Sequence, residues 1–490
     1  MPARTGAQFL AGLKDDREVW VDGERVRDVA THPAFAGAAK FMASLFDLQH
    51  ELADDCLMPD PETGEPINVS HMIPRSREDL ARRHVCLQRI AEQTVGLMGR
   101  SPDYMNVTFA GFAGREDEWR VHGNERGAAN LVAFQKELRR KDISLTHTII
   151  HPTVDKSKGD IVGESDDVPL HKVENTEHGI RVRGARILAT LAPFADELAV
   201  YPAHPIPVGG ARFALSFSIP MATPGLKFLC RDSVSRGRNK FDFPLSSRFD
   251  EQDAFVIFDD VEIPRERLFI DGQVDVYNSV MRTGWFANIL QQTMVRAQTK
   301  LEFAYGIGCR MASAIGDTGQ ATAELLGEMF GYAELARAAI ATAEAEALHW
   351  GNGVWFANSA PLNQLKHFMP VWMPRVNECL RLIGSHNLLA TPTHSQLGDA
   401  ALRPLIDKYL RGAGAAAEER IRIFRLAWDF VGSALASRGE QYERFYLSSA
   451  ARNRMISHLL APKERALALV DSFLKESTDE HDGRRRPGLG

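Results

Sequence analysis

The spacing of apolar residues changes period twice along this chain, and that limits its architecture more than any single motif. From about Gln8 to Arg140 the spacing is mostly helical, with a strand-like Val19-Trp20-Val21 before the turn Asp22-Gly23; Arg77 to Met98 reads as one long helix. Between the 140s and the 270s the period drops to two. Gly179-Ile180-Arg181-Val182-Arg183-Gly184 alternates between bounding glycines, and Phe213, Leu215, Phe217 and Ile219 alternate strictly. Ala254 to Phe258 is a short apolar run ending in a turn. After about Tyr277 the helical period returns. Leu325, Met329, Tyr332, Ala336 and Ala339 step by fours and threes, as do Ile421, Phe424, Trp428, Val431 and Leu435. The expected fold is α+β and mainly α. Residues 1–145 are mostly helical, 146–276 a small antiparallel sheet or barrel, 277–476 a helical bundle and 477–490 a frayed tail. Alanine-rich faces such as Ala333 to Ala347 permit close helix approach, within the bundle or against another subunit.

A chain of 490 residues is long for one small core, which agrees with two or three domains. A net charge of −6 argues against a general nucleic-acid binder. No apolar run approaches the roughly 20 residues that cross a bilayer, and Met1 to Asp15 lacks the layout of a signal peptide, so a cytoplasmic location is expected. Five scattered cysteines (Cys56, Cys86, Cys230, Cys309, Cys379) form no C-x-x-C pair and read as reduced thiols. The glycines Gly159 and Gly163 to Gly184 make no G-x-G-x-x-G opening a helix. Phosphate-loop, H-E-x-x-H and G-x-S-x-G motifs are absent as well. No Rossmann domain and no metal site are expected, so any redox cofactor needs another fold.

Chemistry gathers in Arg100-Ser101-Pro102-Asp103-Tyr104 and in Leu145-Thr146-His147-Thr148. Pro102 suits the first position of a helix with Ser101 as its cap, so Arg100 sits at a helix junction and can face a cavity. His147 follows a charged helix, Gln135 to Asp142, in a segment that Pro152 keeps out of a helix. Arg donates through a fixed fork, Tyr offers a hydroxyl of either polarity and His takes a proton near neutral pH. Together these types can hold and deprotonate a phenol. Singly, such an arginine is ordinarily a surface group and such a histidine a satisfied core residue.

Further stretches point one way. They include Val21-Asp22-Gly23-Glu24-Arg25-Val26, Thr31-His32-Pro33-Ala34-Phe35 and Met98 to Tyr104. Next come Leu145-Thr146-His147, Pro152-Thr153-Val154-Asp155-Lys156 and Leu188 to Pro193. Pro244 to Glu251, Asp260 to Pro264, Trp428-Asp429 and Gly432-Ser433 complete the set. From about Thr5 to Tyr446 the chain resembles the oxygenase component of the 4-hydroxyphenylacetate 3-monooxygenase family, two-component FAD-dependent phenol hydroxylases. The resemblance implies an acyl-CoA-dehydrogenase-like fold with a four-helix bundle, a homotetramer, and reduced FAD delivered by a separate NAD(P)H:flavin reductase. It implies that Arg100, Tyr104 and His147 bind the phenol. It places flavin contacts on His147, Thr148, Ile149, Thr153, Val154, Asp155, Lys156 and Thr190, where a threonine hydroxyl reaches the region of N5. Near the C-terminus the family usually carries a glycine-containing flavin-contact turn. This chain instead reads Tyr446-Leu447-Ser448-Ser449-Ala450-Ala451, with Ser448 and Ser449 as the donors on offer.

The implied reaction uses O2 through a C4a-hydroperoxyflavin and hydroxylates a phenol such as 4-hydroxyphenylacetate ortho to its hydroxyl, giving a catechol. Chloro- or nitrophenols are the alternative substrates. Loops at Pro202 to Gly210 and Asn106 to Gly114 are expected to set selectivity, with Phe109, Phe112 and Phe217 nominated for an aromatic slot and core packing the favoured role for at least Phe217. Two rivals share the fold. Radical 4-hydroxybutyryl-CoA dehydratases need cysteine ligands where this chain has Arg100 and Tyr104. An acyl-CoA dehydrogenase needs a carboxylate base, for which Glu443 or Glu419 can be nominated, both expected at a helix surface or between subunits.

Overall fold

The computed structural model describes residues 3–482 except 158–160, 162–165 and 283, with side chains through residue 474. Gly159 and Gly163 fall outside the described residues, as does the chain beyond Asp482. Within the described part the helix Glu464–Asp482 runs past Ser477, where the composition predicts fraying.

The N-terminal helices are Gly6–Gly12, Ala36–Glu51, Arg77–Gln93, Pro102–Gly114 and Glu125–Lys141. The helix expected to reach Met98 stops at Gln93, because Val95 and Gly96 turn to positive φ (45° and 66°). A Cβ on Gly96 would overlap the Arg296 carbonyl, so only glycine allows this approach to the bundle. The early hairpin Glu18–Val21 and Glu24–Val26 forms around Asp22-Gly23, both at positive φ, as two-residue hairpin turns require.

The β region is two mixed sheets and not an antiparallel barrel. One has the spatial order Glu24–Val26, Glu18–Val21, Leu226–Cys230, Asp253–Pro264, Gly179–Thr190, His171–Asn175. Its second and third strands pair parallel, so the N-terminal hairpin joins the central sheet. The other has the order Leu268–Asp271, Leu215–Pro220, Glu197–Val200, Leu145–Thr148, the last two parallel. The strand at Ala254 runs on to Pro264 through two register shifts rather than ending after Phe258.

The bundle packs Trp285–Ile315, Gln320–Ala345, Ser359–Ala390 (broken at Ser385) and Ala417–Val431 around one another. Trp285–Ile315 is buried on nearly every side and also takes the helices Arg77–Gln93 and Pro102–Gly114. One contiguous apolar core therefore runs through all three segments. Buried Asp429 ties two matched stretches together, its carboxylate accepting the Leu245 and Ser246 backbone N–H groups at 2.8 Å each.

Candidate active site

Arg100, Tyr104 and His147 meet in one buried stack. Pro102 opens the helix Pro102–Gly114 with Ser101 at the cap position, although the serine hydroxyl makes no capping bond. This throws Arg100 inward. Its guanidinium lies 4.0 Å from the Tyr104 ring centre, 5.3 Å from Tyr446 and 5.6 Å from Tyr442. The His147 ring stacks on Tyr104 at 5.6 Å and 19°, and against Tyr201 at 5.3 Å. Burial opposes the Arg100 charge, but the surrounding phenols outweigh it and push its pKa up. Burial, and then Arg100, hold His147 well below its ordinary value, so the imidazole is neutral. Among the described residues no carboxylate forms an ion pair with the Arg100 side chain and no group hydrogen-bonds the His147 ring. A Cβ on Gly99 would overlap the Tyr442 hydroxyl, which keeps that position free of a side chain.

Beside the stack stands a charged frame. Glu251 accepts the Arg100 backbone N–H at 2.7 Å and the Arg438 guanidinium at 2.6 Å. Arg438 also grips Asp253 through Nε at 2.8 Å and Nη2 at 2.7 Å, and Asp253 accepts the Thr190 hydroxyl at 2.8 Å. Thr190 and Asp253 are a cross-strand pair, and Thr146 binds the Thr190 carbonyl at 2.5 Å. A single guanidinium from the helix Ala434–Phe445 thus links the Arg100 junction to Thr190.

The remaining candidates flank this centre. Thr148 ends the buried strand, with its hydroxyl lacking a partner, and the Ile149 carbonyl accepts Arg186 Nη1 at 3.0 Å. His151 is buried beside Arg186 and His204, and burial, followed by those two neighbours, depresses it to about 2. Thr153, Val154 and Lys156 are exposed on the following turn, with Asp155 half-buried, so this stretch lies apart from the stack. Ser448 takes positive φ (74°), a backbone shape that favours glycine, and Ser449 caps the helix Ala450–Leu460. The turn shape is therefore kept without a glycine, while the Ser449 hydroxyl is already engaged. Unpartnered Thr148 Oγ1 and the neutral, unbonded His147 ring fit a polar ring system such as an isoalloxazine.

The family descriptions "4-hydroxyphenylacetate 3-hydroxylase N terminal" and "C terminal" match residues 5–270 and 276–475. The chain belongs to the 4-hydroxyphenylacetate 3-hydroxylase family. It is 36% identical over 478 residues to the 4-hydroxyphenylacetate 3-monooxygenase oxygenase component of Thermus thermophilus, covering 97% of this chain and 98% of that one. A 4-nitrophenol 2-monooxygenase oxygenase component from Rhodococcus sp is 31% identical, over 90% of this chain and 85% of its own. The crystal structure of a 4-hydroxyphenylacetate 3-monooxygenase oxygenase component complexed with FAD and 4-hydroxyphenylacetate aligns with TM-score 0.92 at 35% identity, covering 98% and 100% of the two chains. An archaeal 4-hydroxybutyryl-CoA dehydratase from N. maritimus (19% identity, TM-score 0.86) and a glutaryl-coenzyme A dehydrogenase (13%, 0.50) share the acyl-CoA-dehydrogenase-like fold alone.

Within this family member several expectations are corrected. Glu443 is neither at a surface nor between subunits. It is buried against Arg296 at 2.7 Å and Lys300 at 3.0 Å; burial would raise its pKa, but those cations hold it at about 2, which makes it a poor base. Glu419 is exposed beside a cavity of about 1080 Å³ that also touches Arg248, Phe303, Arg310 and Arg422, and not Arg100, Tyr104 or His147. Asn106 to Gly114 is helix, not loop. Phe109 packs in the core on Phe134, Phe217 packs on Phe258 as favoured for it, and Phe112 touches Tyr201 and so comes closer to His147. Tyr201, Glu251, Asp253, Arg438, Tyr442 and Tyr446 were not singled out from the sequence as site residues. The four-residue spacing of Arg438, Tyr442 and Tyr446 was the available signal, since it puts all three on one helix face.

Proposed function

We propose that this chain is the oxygenase component of a two-component flavin-dependent monooxygenase that uses FAD and O2 to hydroxylate a phenol ortho to its hydroxyl, giving a catechol. One observation carries this reading: a buried, charged Arg100 that lacks a carboxylate partner among the described residues, stacked on Tyr104 beside a neutral His147. Such a cation is receptive to a phenolate. Arg100 and Tyr104 hold the phenol oxygen, and His147 takes or shares its proton. An imidazolium alone is unfavourable there, but a phenolate held by Arg100 offsets its charge, so the proton moves only when substrate is present. The phenolate then carries more electron density at its ortho carbon. Bound reduced FAD supplies the oxygen activation. Thr148, Ile149 and Thr190 hold the flavin ring in this reading; Thr153, Val154, Asp155 and Lys156 take its outer part, with Ser448 and Ser449 beside them.

The division at 145/146 and 276/277 puts the site where all three segments meet, with Arg100, Thr190 and Arg438 each from a different one. A separate NAD(P)H:flavin reductase, a homotetramer and a cytoplasmic setting complete the proposal. The relatives' names span 4-hydroxyphenylacetate and 4-nitrophenol, so the substrate is read by experiment. A panel of phenols is turned over with a flavin reductase, FAD and NADH and scored by catechol formed. His147→Ala is expected to lower catechol formation by roughly 10²-fold while O2 consumption and peroxide release continue. Unchanged coupling in that variant would overturn the assignment.

A further inference from the structure

Two thiols meet behind the first turn of the Arg100 helix. Cys56 ends the short helix Ala53–Cys56, and Cys86 lies mid-way along Arg77–Gln93, which packs directly on it. Both are fully buried in one small apolar cluster with Val69, Met72 and Ile90. Cys86 Sγ lies 3.6 Å from Asn68 Oδ1, and Asn68 pairs across the sheet with Leu57, the residue after Cys56. The two thiols hydrogen-bond each other, with Cys86 as the donor. That bond brings the Cys56 thiol below its ordinary value against the effect of burial; the same bond, and then burial, push Cys86 well above it. Cys56 is therefore the nucleophile of the pair. The other three cysteines lie elsewhere, Cys379 against Glu328, Cys309 against Tyr305 and Cys230 beside Arg231.

Asn68 and Ile90 also line a cavity of about 20 Å³ together with Asp103 and Asn106, room for one water-sized molecule. Asp103 Oδ1 and Asn106 Oδ1 are buried there without a hydrogen-bond partner among the described residues. A small neutral molecule with two O–H groups can satisfy both acceptors.

We propose that Cys56 and Cys86 form a modification site that hydrogen peroxide closes to a disulfide. The Cys56 sulfur, as thiolate, attacks one peroxide oxygen. The O–O bond breaks, Cys56 becomes a sulfenic acid and the other oxygen leaves as water. The Cys86 sulfur then attacks Cys56, the S–O bond breaks and a second water leaves. Two thiols together lose two electrons, one peroxide gains them, and both thiol protons end in the waters. Uncoupled turnover under the proposed function releases this oxidant from the same molecule, so its source rests on that reading; the thiol chemistry does not.

The test exposes the folded full-length protein to added hydrogen peroxide without flavin, so that failure reports on the thiols and not on the oxygenase reading. The expected result is loss of two of the five thiols, an intact mass lower by two hydrogens, and a linked peptide pair carrying Cys56 and Cys86. Dithiothreitol reverses all three. Cys86→Ser is expected to stop at a Cys56 sulfenic acid that dimedone traps, and Cys56→Ser to leave Cys86 a thiol. If either variant fails to fold, the peptide map of the unaltered chain still decides. Five free thiols in the folded protein, at a dose that oxidises the urea-unfolded chain, would overturn the proposal. So would Cys56 passing unlinked to the sulfinic acid, or a link to any other cysteine.

Discussion

His147 sets the pH behaviour of this site. Burial and the adjacent Arg100 keep its pKa well below 6.5, so the ring stays neutral across the physiological range. Hydroxylation is therefore expected to show no acid limb near pH 6.5. A limb there that vanishes in His147→Asn, seen in kcat/KM against pH, would contradict this. Stability runs the other way. The unfolded chain binds protons below 6.5 that folded His147 and His151 refuse, so acidification through that value destabilises the fold. Asp103, in the first turn of the Arg100 helix, has the opposite sign. Burial pushes its carboxyl up to about 6 from 3.8, so its contribution is fully present below about pH 4 and lost as pH rises through 6. Asp103→Asn is expected to stabilise the chain by about 2–3 kcal/mol at pH 8 and by little at pH 4, read from urea unfolding at the two pH values.

The helix Ala434–Phe445 does most to assemble the site. Arg438 reaches Glu251 and Asp253, Tyr442 and then Tyr446 face Arg100, and Glu443 pairs with Arg296 and Lys300. Glu443→Gln leaves two buried cations sharing one neutral partner and is expected to cost about 3–5 kcal/mol, measured as a lowered unfolding midpoint. Much of this frame was beyond the sequence. The Asp253–Arg438 pair spans 185 positions, and no local pattern announces an ion pair at that distance. The parallel pairing of 18–20 with 227–229 is hidden for the same reason. Asn106–Gly114 escapes as a helix because Val107, Phe109, Ala110, Phe112 and Ala113 are all buried, leaving no polar stripe to show a period. What could be read was local or strongly periodic: the strand-like Val19-Trp20-Val21 with its turn at Asp22-Gly23, the alternation within Gly179–Thr190, and the long bundle helices. Arg100, Tyr104 and His147 were legible as residue types at a helix break, and the resemblance joined them before the stack did.

At the scale of the whole molecule, the last helices carry apolar groups that the single chain does not cover. Leu459, Leu460, Leu467, Val470 and Phe473 are each more than half exposed, more than an isolated soluble chain ordinarily shows in one region. If the proposed tetramer forms, a neighbouring copy is expected to cover them. Deleting residues 464–490 is expected to reduce the assembly seen by light scattering, with the Arg100–His147 stack left in place; an unchanged mass would count against that packing. The frame around Arg438 has a consequence for the newborn chain. Translation delivers Arg100, His147, Thr190, Glu251 and Asp253 long before residue 438 leaves the ribosome. Until then Glu251 and Asp253 lack Arg438, the cation they share, and Asp253 has only Arg231 beside it. The link between the Arg100 junction and Thr190 is therefore expected only in a chain synthesised nearly to its end.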